Sequence, residues 1–429
     1  MATVTVNEVR ERVAKASVSG SYTLFLQLGG VLAAVGVALV GLALSGENSE
    51  RAWHLFHVNW VYFTGIAGGS ICIAAVHKVV NAKWSGFVLR FAQAMLYFLP
   101  VSFVGLIVDQ TIGYHPIYEH MIEQLPDLPA GKAWWLSHPV MFTRLAVFLG
   151  LLYWLGWKLV RNDLGPDMAD AAKYVTGAKA EKYRAWGAGW DGSVAAQEKV
   201  WLEARKWGAM YIVVYALAFT MVAFDGIMAL QPHWFSNLLG GWYFMGSFLG
   251  AHMCLAILTI YNGNHLGVAD LISQKQRHDI GKLCFGFTVF WTYLMWAQFQ
   301  VIWYANLPEE TGFVFSRLWG EWRPVGTAVL IGMFVVPFFG LLGTWTKKFP
   351  PTMIFFATVS LSALWLERFL MIIPSITKAE GPQFGLAEFG PTALFLGLFL
   401  ICYALFAKAY PMISPRLAVI TWNKEHAHH

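Results

Sequence analysis

Ten stretches of about 20 mainly apolar residues divide this sequence, at roughly 22–44, 54–77, 86–108, 135–158, 207–230, 238–262, 282–305, 323–345, 351–373 and 390–410. A helix rises 1.5 Å per residue, so about 20 residues cross the roughly 30 Å hydrocarbon core of a bilayer. In hydrocarbon every backbone N–H and C=O must be paired within the structure, which leaves the helix as the form for such stretches. The composition agrees. Of 429 residues, 57% are hydrophobic and 13% charged, against about 25% charged in soluble domains. The expected fold is an all-α integral membrane protein with about ten transmembrane helices. That excludes a soluble enzyme, and a net charge of +5 gives no argument for nucleic acid. The 21 tryptophans suit interfacial belts.

The basic residues orient the spans. With both termini on the cytoplasmic side, that side holds 23 of the 30 Lys and Arg. The outer side holds five, Arg51, Lys132, Arg317, Arg323 and Lys378, while Arg144 and Arg368 lie within spans. Such a bias is the positive-inside pattern. It predicts a multi-pass protein of a bacterial cytoplasmic (inner) membrane. Residues 1–21 read as a cytoplasmic tail rather than a cleavable signal. The insertion between spans four and five, Arg161 to Lys206, reads as short solvated helices or a partner-docking loop. The tail Glu425-His426-Ala427-His428-His429 reads as solvated chain. Cys72, Cys254, Cys284 and Cys402 form no C-x-x-C pair, which argues against an iron–sulfur cluster, zinc site or covalent haem in this chain.

An internal repeat runs through the spans. Tyr62, Phe63, Gly65 and Gly69 match Tyr243, Phe244, Gly246 and Gly250 at an offset of 181. Ala146, Val147 and Gly150 match Ala328, Val329 and Gly332 at 182, and Asp225 and Pro232 match Glu367 and Pro374 at 142. The drop of 40 is the longer loop after span four. Spans two to five (54–230, with the insertion at 159–206) and six to nine (231–373) therefore read as two four-helix bundles in parallel orientation. Residues 22–53 and 374–429 supply the first and tenth spans as two peripheral helices. Glycines four apart permit close helix packing in lipid, and that is the role expected of Gly65/Gly69 and Gly246/Gly250.

Ionised side chains inside a bilayer cost several kcal/mol and mark function or mutual pairing. Asp225, Glu367 and Arg368 lie near the outer ends of their spans, with His57 and Arg144 in the same half. His252 is mid-span. One reading is a proton relay or quinol pocket opening outward. The other is that the acids only neutralise Arg144 and Arg368 between helices. A bis-His haem needs histidines at one depth on facing helices; His57 and His252 differ by several residues and His77 lies at the opposite face.

Two long motifs carry a resemblance. One is Phe224-Asp225-Gly226-Ile227-Met228-Ala229-Leu230-Gln231-Pro232-His233-Trp234-Phe235-Ser236. The other runs from His278-Asp279-Ile280-Gly281-Lys282-Leu283 through Gln298-Phe299-Gln300 to Ile302-Trp303-Tyr304-Ala305-Asn306-Leu307-Pro308-Glu309-Glu310-Thr311. Both resemble the F-type membrane protein of bacterial alternative complex III, a respiratory quinol:cytochrome c or copper-protein oxidoreductase. The F-type protein and its C-type sister are similar to NrfD-like polysulfide-reductase membrane proteins built from two four-helix bundles.

The resemblance implies an electron-transport subunit without its own redox cofactor, supporting assembly and proton translocation. Its implied partners are the NrfD-like C-type sister, an iron–sulfur protein, multi-haem cytochromes, lipids and a terminal oxidase. Haem c and iron–sulfur clusters would sit in those partners; the small molecule nearby would be menaquinol or ubiquinol. His233, Tyr304, Glu309 and Glu310 join the candidate proton path or quinol pocket through the motifs. The chain departs from the pattern at Gly226 and Gln231, where Trp and Glu are expected, so the path lacks one acid there. Two other functions remain open: that this chain is itself the quinol-binding subunit, and that it is a standalone transporter. Transporters often use inverted repeats, whereas these are parallel.

Overall fold

The computed structural model describes residues 5–46, 49–377 and 381–426, apart from the side chains of residues 386 and 387. Lys378 and the end of the histidine tail lie outside the described residues. The described residues form helices and no strand. Ten of the helices are long and apolar enough to cross a membrane, so this is an all-α integral membrane protein. The spans are Thr23–Leu44, Ser49–Val79, Leu89–Thr111, His138–Ala171, Val194–Gly226, Leu239–His265, Gln274–Ala305, Gly320–Leu342, Pro350–Ile376 and Leu386–Ala409.

Local chemistry sets the ends. Ser193 caps span five by accepting from Ala196 N–H at 3.1 Å, and Ser273 caps span seven through Gln276 N–H at 3.1 Å. Such caps satisfy backbone donors that the first turn leaves free. Span seven stops at Asn306, whose φ of 49° is left-handed. Span eight passes through one π turn, Ile331–Val335, just before Pro337. Proline lacks the N–H that a regular turn would use, and the widened turn absorbs the loss.

The insertion differs from its sequence reading. Span four continues unbroken to Ala171, past Gly165-Pro166, and span five begins at Val194. At 1.5 Å per residue these helices are about 50 Å long, so each projects roughly 20 Å beyond the hydrocarbon. The Ala-, Lys- and Glu-rich start of span five suits a solvated helix, whereas the end of span four is held by burial of Leu159, Leu164, Met168 and Ala171. Only residues 172–193 connect them, with a short helix at Gly177–Gly187.

Span two is the axis of the molecule and is almost wholly buried. Within the first bundle it packs on spans three and five, and span five on span four. Span six packs likewise on spans seven and nine. Between the bundles, span two crosses span six, span five meets span six, and span nine meets span two. A Cβ on Gly69 would stand 2.8 Å from the Ser247 carbonyl, and one on Gly250 2.6 Å from Leu364. The matched glycines thus serve close packing. The matched tyrosines also reach across: Tyr62 donates to Leu361 O in span nine at 2.9 Å, and Tyr243 to Val61 O in span two at 2.8 Å.

Spans one and ten form a pair against the first bundle. Their backbones meet at glycines; a Cβ on Gly397 would lie 2.5 Å from Ala33 N and 2.6 Å from Gly29 O. The N-terminal helix, Val6–Ser19, packs on the C-terminal helix, Pro415–His426. Both chain ends therefore share one face, called here the terminal face.

Candidate functional site

Span five ends at Gly226, and the last carbonyls of a helix lack intrahelical partners. The His57 ring, wholly buried on span two, fills that need: its Nε2 lies 2.7 Å from Gly226 O. A carbonyl only accepts, so Nε2 carries the hydrogen. The other nitrogen, Nδ1, lies 2.7 Å from Asp109 Oδ1, and both groups are fully buried. A contact that short needs one proton between nitrogen and oxygen. His57 and Asp109 therefore share a proton, and with it the pair is neutral overall. Without it, two lone pairs would face each other around a net negative charge. A Cβ on Gly226 would sit 3.5 Å from His57 Nε2, in ordinary contact, so the ring packs directly against the helix end.

Asp109 Oδ2 accepts from Gln110 Nε2 at 3.0 Å, and the same amide reaches the Tyr118 hydroxyl at 3.2 Å. Tyr118 stands on a short helix, Tyr114–Gln124, beyond the end of span three. Burial, and then the charges of Asp109 and Asp225, push its phenol well above the ordinary range, so it stays protonated. On the next residue from Gly226, Asp225 accepts from Arg144 Nε at 2.9 Å and Nη2 at 2.5 Å. The Arg144 guanidinium lies 3.8 Å from the Trp135 ring centre. Above this cluster a cavity of about 630 Å³ is lined by Glu50, Arg51, His54, Glu119, His120 and Glu388. His54 is one turn from His57 on the same helix face.

The second bundle holds a separate constellation, centred on Glu367 and Arg368. Glu367 is 1% exposed. Its Oε2 lies 2.7 Å from Arg368 Nη1, yet neither carboxylate oxygen has a hydrogen-bond partner. The two groups are neighbours on one helix, so the expected neutralisation between helices holds for Asp225 and Arg144 but not here. The repeat offset of 182 that relates span four to span eight carries Arg144 onto Gly326. Among the described residues no cross-helix arginine then pairs with Glu367. Instead Glu367 and Gly326 line an apolar cavity of about 570 Å³ with Trp242, Phe299, Phe313 and Arg317. Gln298 also lines it, with its Oε1 buried and unpartnered.

The other sequence candidates lie elsewhere. His252 is buried between Phe248 and Phe287, its Nδ1 bonded to Phe248 O at 2.9 Å. Tyr304 is 84% exposed and His233 is exposed. Glu309 and Glu310 occupy the first turn of the helix Pro308–Leu318, where carboxylates complement the helix dipole. None of these residues joins either cluster.

Sequence reasoning does not single out Asp109, Gln110 or Tyr118. Asp109 falls one residue past the third apolar stretch, and charges at span ends are usually solvated. No group of three or more His, Cys, Asp or Glu among the described residues is placed to hold a metal ion. Both His57 nitrogens are engaged, which leaves none for an axial haem bond. No protein-family model matches the chain, and no curated protein matches it.

Proposed function

We propose that this chain is a redox-inactive membrane subunit of a bacterial respiratory quinol:acceptor oxidoreductase of the alternative complex III type. It lies in the cytoplasmic membrane with the terminal face inside, and it conducts protons through the outer half of its first bundle. The shared proton of His57 and Asp109 carries this reading. A buried pair that is neutral when loaded and charged when empty holds its proton until a neighbouring charge or a rearrangement releases it. Asp225, held by Arg144 one residue from the His57 acceptor, sets the local field. His54 and the cavity above offer the exit to the outer side. The two long motifs support placing the chain beside an NrfD-like sister, with iron–sulfur and haem-bearing partners supplying the electron path.

The test uses the intact, reconstituted complex. Asp109→Asn and Asp225→Asn are each expected to lower protons released per electron while quinol oxidation continues. Unchanged proton translocation in both variants would sink the proposal.

A second reading rests on Glu367. A carboxylate that has an ion-pair neighbour but no hydrogen bond, at the wall of an apolar, aromatic-lined cavity, suits a membrane-dissolved molecule with a hydroxyl donor, a quinol. Pockets of roughly 300–1,000 Å³ with few polar groups are typical ligand sites. Photolabelling by a quinone probe at span eight or nine, lost in Glu367→Gln, supports it; labelling confined to the sister protein counts against it.

A further inference from the structure

At the terminal face, five charged side chains are buried together. Asp163 of span four accepts from Lys78 Nζ at 2.8 Å and Gln93 Nε2 at 2.8 Å. Asp167 pairs with Arg90 and accepts from Ser414 Oγ at 2.6 Å. The C-terminal helix inserts Arg416, whose Nη2 reaches Asp163 Oδ1 at 3.3 Å. Three cations thus face two carboxylates, and all five side chains are at least nine-tenths buried. A surplus positive charge taken out of water is costly unless an anion compensates it.

The donors point to the same deficit. Arg416 makes that one long bond, and its Nε has no partner. Arg90 leaves Nε and Nη1 unpartnered. Beside Arg416 opens a cavity of about 410 Å³ lined by Lys78, Lys83 and Arg416 itself, with the His77 ring on its wall; Arg90 lies behind this lining. Glu198 is the one carboxylate of the lining. Apolar surface from Leu89, Trp201, Leu417 and Ile420 completes it.

We propose that this cavity binds a phosphate-type anion, either the headgroup of an anionic phospholipid or free phosphate. A phosphodiester carries one negative charge, equal to the surplus, and its oxygens accept from guanidinium and ammonium donors. Basic pockets between helices at this level of a bilayer suit lipid headgroups, and the apolar lining would take the glycerol and upper acyl chain. An occupant would tie the C-terminal helix to spans two, three and four through Arg416. The inference does not depend on the quinol or proton readings.

The experiment is native mass spectrometry of the full-length chain in detergent, within its complex where it co-purifies. Phosphatidylglycerol, phosphatidylcholine and inorganic phosphate are offered in separate arms. One phosphatidylglycerol per chain should be retained in preference to phosphatidylcholine. Arg416→Gln and Lys83→Gln should each weaken it about five- to ten-fold. Lys206→Gln, outside the lining, should leave it unchanged. Lys83 is exposed and outside the buried network, so its variant reports even where Arg416→Gln does not fold. Binding of inorganic phosphate alone, with the same dependence on both residues, identifies the free ion as occupant. The proposal is overturned if neither phosphate nor phosphatidylglycerol binds, if both substitutions leave binding unchanged, or if phosphatidylcholine binds equally well.

Discussion

Replacing Arg144 by methionine separates the two roles that Asp225 can play. The pair is sealed from solvent, with Arg144 8% and Asp225 0% exposed at the side chain. Two charge-assisted bonds at 2.9 and 2.5 Å would be lost, each worth about 1.5–3 kcal/mol. Their sum agrees with the roughly 3–5 kcal/mol measured when one partner of a buried ion pair is removed. Asp225→Leu should cost a similar amount, because Arg144 would keep only its 3.3 Å contacts to Trp135 O and its stacking on that ring. Combining the two places apolar groups in an apolar setting and should restore stability to within about 1–2 kcal/mol of wild type. Urea or SDS unfolding in micelles, followed by tryptophan fluorescence, measures the cycle. Additive losses in the double variant would refute the reasoning, since they would show that the two residues are not one network. Proton release by the reconstituted complex then decides function. A mere counter-charge predicts that the stable double variant still translocates protons; a working acid predicts that it does not.

Three further outcomes follow from the geometry. Gly397→Val should destabilise by about 1–3 kcal/mol, because its Cβ meets backbone atoms of span one; Gly30→Ala, with open space at its Cβ, should be near neutral in the same melt. Leu330 also lines the cavity at Glu367, so Leu330→Trp should crowd it and reduce quinone photolabelling several-fold without changing the melting temperature by more than a few degrees. The Asp191 carboxylate accepts from Ser193 N–H at 2.9 Å, and that backbone bond holds its pKa below the ordinary range. A depressed carboxylate stabilises at pH values above its unfolded pKa of about 3.9. That contribution is lost as pH falls through the lower folded value. Amide exchange at Ser193 should therefore gain protection from acid pH up to about pH 4 and then level off, after correction for intrinsic rates; Asp191→Asn should abolish the step.

The ten spans are legible in the sequence because lipid imposes length and polarity on every segment independently. The Asp225–Arg144 pair is legible as one of two readings, since isolated charges in apolar runs must find partners. Burial at span ends is not legible. Lys78, Arg90 and Arg416 belong to the basic residues behind the expected orientation, and a count treats them as solvated. They are buried because the C-terminal helix folds back over spans two to four, a tertiary event that no local pattern encodes. Asp109 escapes for the same reason: the helix at Tyr114–Gln124 covers what would otherwise be an interfacial acid. The insertion misleads because polar, helix-favouring sequence reads alike whether it starts a new helix or prolongs an old one.

Spans one and ten embrace through glycine although about 340 residues separate them in the chain. At about 5–20 residues per second, synthesis of that interval takes on the order of 20–70 s. Throughout it, span one lacks its main partner. Its outer face, with Leu24, Val31, Val37 and Leu42 each about 60% exposed or more, is content in lipid, but its glycine face is not yet covered. The pairing is therefore a docking step between two helices already in the bilayer, and it waits for span ten to arrive. A substitution at Gly36 or Gly397 would act there, on how many chains finish assembly, before it touched any finished protein.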